Sequence, residues 1–454
     1  LHQESLDDTG YRGYIAALVV SDSIIVDGDC NDMGDASEMF RMIRPDGGVA
    51  IIGQPGGCPN VLNPVDLQNW LDAGNPAGSQ ISYQITDDSN GVWARLDRGP
   101  LPGAGEWTGV WGDLGNTACS GDTRITDTLK PLWFGKPGPR VMPIDRHWRP
   151  MPSLYKAGRL IVPAQDKVIC SDAYNGARMW EIDVPDSTRV AILRDTGWVT
   201  LDEDYVYIAS KNQCQKVDLD SGDVLTTYTI ATADRDWGYV AVDGDLLFGS
   251  EQIEDASVMS TTSIAPYRND VSRNDWHDII TSKKLFCRNR NSDSGDARIW
   301  EYDNSSVIAN PTICIDGDYI YFFESIYPAA VSDPDGGVQL QNGGTPIFIW
   351  GSNEYLVKLN KNTGDVQWRV QKNVAFYHMI YLSCADGILL ASGSIGSYNS
   401  GYSYNLYAYR TSDGGLVWSK NFSSSGGQNG RHGEQDKHPM IVNGTIRMLQ
   451  GSWS

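Results

Sequence analysis

The chain has 454 residues, 41% hydrophobic and 20% charged, with 48 Gly and 15 Trp, and a formal net charge of -21. The acidic balance excludes sequence-independent binding to DNA or RNA, where basic side chains must replace condensed counterions. No run of about 18 apolar residues occurs, so no membrane span is expected, and the length points to two or more domains.

The chain opens at Leu1 without a signal-peptide pattern, so we expect either a removed signal or a fragment. Tyr14-Ile-Ala-Ala-Leu-Val-Val20 is a continuous apolar run of the buried parallel-strand type. Residues 35–43 form a short amphipathic helix. Arg44-Pro-Asp-Gly-Gly-Val-Ala-Ile-Ile52 then turns into a second buried strand, completing a strand–helix–strand unit over residues 1–55. Residues 56–105 are rich in Gly, Pro, Asn and Asp and are expected to be linker and irregular structure, with one short helix near Pro64–Asp72.

From residue 106 a repeat takes over. Lys167–Trp180, Tyr355–Trp368 and Asn405–Trp418 each run as a short apolar strand, a polar turn ending in Gly, and a second strand ending in Trp. Two weaker copies surround Gly222, where Thr226 takes the Trp position, and Gly295, which leads to Trp300. Asx-x-Gly supplies the positive φ that such a turn needs. A second hairpin signal precedes each copy, at Ala157-Gly158, Asp202–Asp204, Asp243–Asp245, Asp316–Asp318, Asp386-Gly387 and Asn443-Gly444. Two hairpins per repeat make a four-stranded sheet, and such sheets repeat radially in a β-propeller. Gly176, Gly222, Gly295, Gly364 and Gly414 mark five blades at intervals of 46, 73, 69 and 50 residues. The long intervals hold insertions near 251–283 and 325–353. A partial sixth blade opens at Met440. Trp180, Trp300, Trp368 and Trp418 are expected to fill the wedges between neighbouring blades.

The innermost strand of each blade begins near one mouth of the central channel, and polar residues recur there: His147, Arg194, Asp195, Arg235, Asp236, His378 and His438. Together they form a candidate ligand-binding ring, against the alternative that they pair with one another at blade ends. The turn Asp218-Leu-Asp220-Ser-Gly222 lacks a full calcium loop and reads as ordinary turn chemistry, so no metal site is assigned. Asn304, Asn421 and Asn443 head glycosylation sequons. The eight Cys contain no C-x-x-C, which excludes c-type haem attachment and the common zinc-ribbon spacings. Their even number leaves both disulfides and buried thiols open.

The Gly-x-x-x-Trp hairpins resemble the repeat of the pyrroloquinoline-quinone (PQQ)-like propellers, which include quinoprotein alcohol dehydrogenases and the propeller lipoprotein of outer-membrane assembly. Trp111-Gly-Asp-Leu-Gly-Asn-Thr-Ala-Cys-Ser-Gly-Asp122 resembles the opening segment of these domains, so the resemblance covers roughly 106–454. It implies a mainly β fold of four-stranded blades, part of a seven- or eight-bladed propeller. Arg41-Met-Ile-Arg-Pro-Asp-Gly-Gly48 resembles the turn before a late strand of class I S-adenosylmethionine-dependent methyltransferases. The front segment therefore looks like a partial, Rossmann-like remnant of that domain, in a large secreted bacterial protein. Its one cofactor-turn candidate, Val26–Asp32, lacks the G-x-G spacing.

The dehydrogenase branch implies PQQ and calcium held beneath a vicinal disulfide, and this chain has no Cys-Cys pair. We therefore expect a non-catalytic secreted, periplasmic or cell-surface scaffold without a cofactor. It would bind a protein or polysaccharide partner, possess no nucleic-acid partner, and serve as a subunit of a larger assembly. The alternatives are a PQQ-dependent quinoprotein dehydrogenase with PQQ and calcium, and a carbohydrate-active enzyme using a carboxylate pair that 57 Asp and Glu leave unselected.

Overall fold

The computed structural model describes residues 6, 9–30, 33–126, 128–129, 131–135, 151–189, 192, 195–257, 279–292, 296–326, 340–341, 345–346, 354–374, 376, 380–397, 401–423 and 438–448. The front unit holds β1 (Leu18–Val20), α1 (Ser23–Asp27), α2 (Ala36–Met42), β2 (Gly48–Pro55), α3 (Pro64–Gly74), β3 (Ile81–Asp88) and β4 (Gly91–Arg98). Asp35 starts α2 by accepting the Ser37 N–H at 2.8 Å, and Asn63 caps α3 ahead of Pro64. The sheet runs β1-β2-β4-β3, with β1 and β2 parallel and the later pairs antiparallel. Met39, Phe40, Leu67 and Leu71 of the helices pack on Ala50, Ile52, Ala94 and Leu96 of the strands.

Two expectations need correction here. Residues 56–105 are not a linker. Their Ile81–Asp88 and Gly91–Arg98 segments are alternating strands that complete the sheet, and the Asn-Gly turn between them is a hairpin signal inside an otherwise loop-like composition. The apolar run at Tyr14–Val20 is not a buried strand either. Only Leu18–Val20 is strand, and Leu18 and Val20 are 58% and 64% exposed, because helices cover one face of this sheet.

The remainder is a β-propeller of antiparallel four-stranded blades. Blade 1 is β5 (Leu154–Lys156), β6 (Arg159–Ala164), β7 (Lys167–Asp172) and β8 (Arg178–Asp183). Blade 2 is β9 (Val199–Leu201), β10 (Tyr205–Ser210), β11 (Gln213–Asp218) and β12 (Val224–Thr229). Blade 3 is β13 (Arg235–Asp243), β14 (Leu246–Ile253), β15 (Thr281–Asn289) and β16 (Trp300–Tyr302). Blade 4 begins with a strand broken by a 3-10 turn, β17 (Val307–Ala309) and β18 (Cys314–Asp316), followed by β19 (Tyr319–Ser325). A small pair, β20 (Leu340–Gln341) and β21 (Thr345–Pro346), precedes its outer strands β22 (Glu354–Asn360) and β23 (Val366–Lys372). Blade 5 is β24 (Ile380–Ala385), β25 (Ile388–Ser397), β26 (Gly401–Arg410) and β27 (Leu416–Ser423). The hairpin β28 (Met440–Val442) and β29 (Thr445–Arg447) opens the sixth. The innermost strands touch in sequence: β5 with β9, β9 with β13, and β18 with β24. Most of the two insertions, with Gly295, lies outside the described residues.

One contact recurs between blades. The Trp180 ring lies against Gly222, and its indole N–H donates to the Leu219 carbonyl at 2.9 Å. Trp300 does the same to Gly364 and Lys361 (2.8 Å), and Trp368 to Gly414 and Thr411 (3.2 Å). Trp133, ahead of blade 1, repeats it on Gly176 and Ala173 (2.8 Å). In each case the acceptor is the first residue after the third strand and the glycine stands three residues later. Each glycine has a φ between 68° and 79°. Blade 2 has Thr226 where the Trp belongs, and there the Tyr228 hydroxyl donates to the Arg290 carbonyl, the equivalent acceptor after β15. Trp418 departs from the expectation. It is 38% exposed, because no such turn stands opposite it among the described residues.

Gly222 therefore combines a left-handed backbone with a ring 2.7 Å from any added Cβ, whereas Gly244 (φ 56°) faces open space. Gly222→Ala is expected to lower unfolding free energy by about 2–4 kcal/mol. Gly244→Ala should cost only about 1 kcal/mol. Urea unfolding followed by tryptophan fluorescence checks the difference.

Candidate functional site

The propeller axis is built from two layers. The first is the segment Glu106–Ala118. Trp107 exchanges backbone hydrogen bonds with Tyr155 of β5 (2.9 and 2.8 Å), and the Thr108 carbonyl accepts from Leu201 of β9 (3.3 Å). The Leu114 carbonyl accepts from Ile315 of β18, the Gly115 carbonyl from Cys384 of β24 (both 2.7 Å), and the Thr117 carbonyl from Ile441 of β28 (2.8 Å). A segment that reaches the innermost strands of blades 1, 2, 4, 5 and 6 within eleven residues lies across their common axis.

The Gly-Asp-x-Gly-Asn-Thr pattern is what this course demands. Gly112 turns the chain at φ 92°. The half-buried Asp113 carboxylate accepts the Thr117 N–H at 2.9 Å and its hydroxyl at 2.5 Å, while desolvation pushes its pKa up. Gly115 passes so near blade 5 that a Cβ would stand 2.5 Å from the Cys384 carbonyl. Asn116, at φ 56° and buried, donates to the Ile313 (2.9 Å) and Leu382 (3.1 Å) carbonyls, tying blade 4 to blade 5. Trp111 stacks on His438 at 4.1 Å between ring centroids and meets Tyr381 edge-on.

The second layer is a belt of buried polar side chains where the inner strands begin. Arg189, from the connection between blades 1 and 2, donates to the Gly238 (2.7 Å) and Trp237 (2.5 Å) carbonyls of blade 3 and lies 3.8 Å from Asp195. Asp195 accepts from the Ser257 hydroxyl, and Gln252 donates to Ser257 at 2.8 Å. Asn310 donates to Gln252 (3.2 Å), Ser282 donates to Asn310 (2.6 Å), and Ser282 also meets Ser250 at 2.8 Å. Asp236, with its pKa raised by burial, accepts the Asp255 N–H at 2.8 Å. Burial lowers the Arg189 pKa against the pull of Asp195 and Asp236.

Of the expected ring, Asp195 and Asp236 thus meet around Arg189. Arg235 heads β13. His438 packs on the axial segment instead of joining the belt. His147, Arg194 and His378 lie outside the described residues. Arg189, Gln252 and Asn310 escaped the sequence reading because they stand in a connection, a strand end and a 3-10 turn that carry no repeat signal.

Two further buried carboxylates occupy the same position, sixth in the second strand of their blades. Glu251 is bonded to Arg298 and to Thr232 (3.0 Å). Glu324 is bonded to Arg369, Tyr302 (2.8 Å) and Ser306 (2.6 Å). These are blade-locking pairs.

The remaining assignments are engaged locally. Asp218 accepts the Asp220 and Ser221 N–H groups, and Asp220 pairs with Arg159. Asn304 donates to Glu324 (3.3 Å), Asn421 donates to Asn405 (2.6 Å), and Asn443 takes the left-handed position of the β28–β29 turn. All eight Cys are free thiols. Among the described residues, no group of three His, Cys, Asp or Glu is arranged to hold a metal ion, and no helix is long and apolar enough to cross a membrane.

Blades, turns and wedge contacts define the class: a β-propeller of four-stranded antiparallel blades. Residues 130–274 match the family described as outer membrane protein assembly factor BamB. No curated protein matches the chain. Among solved structures, BamB from Moraxella catarrhalis is similar at 12% identity over 58% of this chain and 62% of that one, with a TM-score of 0.34. Quinohemoprotein alcohol dehydrogenase from Comamonas testosteroni is similar at 13% identity over 72% and 51%, with a TM-score of 0.39. The ADHIIG enzyme of Pseudomonas putida HK5 is similar at 13% identity over 70% and 48%, with a TM-score of 0.41. The chain thus spans 48–62% of the length of these structures.

Burial pushes the His438 imidazole down to about 3 from 6.5, and its Nε2 is shut off from solvent. A base with a lowered folded pKa contributes stability that is complete above pH 6.5 and is lost as pH falls toward 3. His438→Phe keeps the stack on Trp111 and removes the titration. Its urea midpoint should vary less than the parent's between pH 6.5 and 4, as equilibrium unfolding at a series of pH values will report.

Proposed function

We propose that the chain is a non-catalytic propeller that serves as a binding or structural scaffold for a protein or polysaccharide partner in a secreted, periplasmic or cell-surface assembly. The observation that carries this is the occupied axis. Glu106–Ala118 spends its backbone groups on the inner strands, and the belt polar groups are largely paired among themselves. The residues fit a quinone poorly: no two Cys are adjacent, and Cys170, Cys214, Cys287, Cys314 and Cys384 are buried within the blades.

The front unit reads as a methyltransferase-like remnant, supported by the parallel β1–β2 pair and the Arg44–Gly48 turn that leads into β2. Its cofactor-turn candidate is filled from within. A Cβ at Gly28 would stand 2.4 Å from the Asn60 carbonyl, and the Gln54 amide donates to Asn60 and accepts from Leu62. The unit is fixed to blade 1 by the buried Arg44–Asp172 pair (3.1 Å) and by Tyr174, whose hydroxyl donates to Asp46 (3.1 Å). The assembly reading thus gives it a mounting role.

Incubation of the purified chain with PQQ and calcium, followed by gel filtration, absorbance spectra and dye-reduction assays with alcohols and aldoses, tests the reading. We expect no retained quinone and no dye reduction. Stoichiometric quinone with turnover would replace the scaffold by a dehydrogenase.

A further inference from the structure

Among the described residues, the fourth strand of each blade pairs with a single neighbouring strand, and charged side chains are the usual protection for such an edge. Four of the five fourth strands carry that protection: Arg178, Glu181 and Asp183 on β8, Glu301 on β16, Arg369 and Lys372 on β23, and Lys420 on β27. The strand β12, Val224-Leu-Thr-Thr-Tyr-Thr229, carries no charge. Val224 and Leu225 are 48% and 52% exposed, and Leu225 sits at a bulge where β11 offers it no partner. Ile230 donates its N–H to Asn212 of the β10–β11 turn at 2.8 Å. By the alternation of an antiparallel ladder, the N–H groups of Thr227 and Thr229 therefore point away from the blade.

We infer that β12 is a docking edge for an extended segment of a partner polypeptide, which adds to blade 2 as a fifth strand. The inference rests on the scaffold reading and names its contact surface. Backbone bonds from Thr227 and Thr229 recognise a strand of any sequence, and the absence of like charges along β12 admits an uncharged, β-branched centre. Asp223 stands in the turn that enters β12, where a Lys or Arg at one end of the incoming segment meets it, while the neighbouring Asp220 is held by Arg159. A second copy is a poor occupant, because the net charge of -21 sets two copies against each other.

The probe is a fluorescein-labelled Thr-Val-Thr-Val-Thr-Val-Lys peptide, titrated against the full chain by anisotropy. Thr227→Pro removes an outward N–H and leaves the pairing to β11, while Leu225→Lys restores an edge charge. Saturable binding is expected, weakened at least tenfold by either variant at unchanged melting temperature, with slowed amide exchange at Thr227 and Thr229. Absence of saturable binding overturns the inference, as does equal binding by Leu225→Lys or a dimer by light scattering that Thr227→Pro dissolves. None of these outcomes bears on the quinone and dye-reduction assay, so the scaffold reading stands or falls separately.

Discussion

The structure depends on an indole seated on the glycine of the next blade's turn. A four-stranded blade is amphipathic on both faces and unstable alone, so its wedge must be filled by something flat and large. Trp180, Trp300 and Trp368 supply that area, and an N–H at the ring edge finds a carbonyl left free where the third strand ends. Each indole removes on the order of 150–250 Å² from water. The glycine serves twice: it allows the left-handed turn, and it lets the ring approach the backbone. The pairing is directional: blades 1, 3 and 4 each give an indole to the turn of the blade that follows, and blade 2 gives the Tyr228 ring instead.

The axis has the opposite problem. Inner strands such as β5, β9, β18 and β28 are three residues long, and each has an open edge. Unpaired backbone groups at the centre of the molecule would be costly. The segment 106–118 covers several of those edges in one pass, and its glycines stand where side chains would collide with β24 or obstruct a turn. The same segment spends its backbone groups on the inner strands, and this is the feature on which the proposed scaffold role rests. The Arg189 belt adds buried charge only where an opposite charge or a carbonyl is within reach, which rigidifies the junction of blades 1 to 4.

The propeller was legible because its signals are local. A turn glycine four residues before a Trp repeats at a spacing that a single sequence displays. Sequence position placed Asp195 before β9 and Asp236 at the start of β13, near the blade ends where the belt lies. Arg189 was not legible, because its partners Trp237 and Gly238 are nearly fifty residues away. Tyr228 was hidden for a subtler reason. It replaces the missing Trp from two positions further along the strand, so a search at the Trp position finds only Thr226. The hairpin β3–β4 was obscured by flanking Gly, Asn and Asp, and the exposure of Leu18 and Val20 reflects a face that helices leave bare, which an apolar run does not announce.

Hydrogen exchange at the indole N–H groups is the most direct measurement. In a chain labelled with 15N-tryptophan and assigned by substitution, Trp180, Trp300 and Trp368 should exchange far more slowly than Trp418. Uniformly fast exchange, or equal protection of Trp418, would contradict the wedge contact on which the fold is explained.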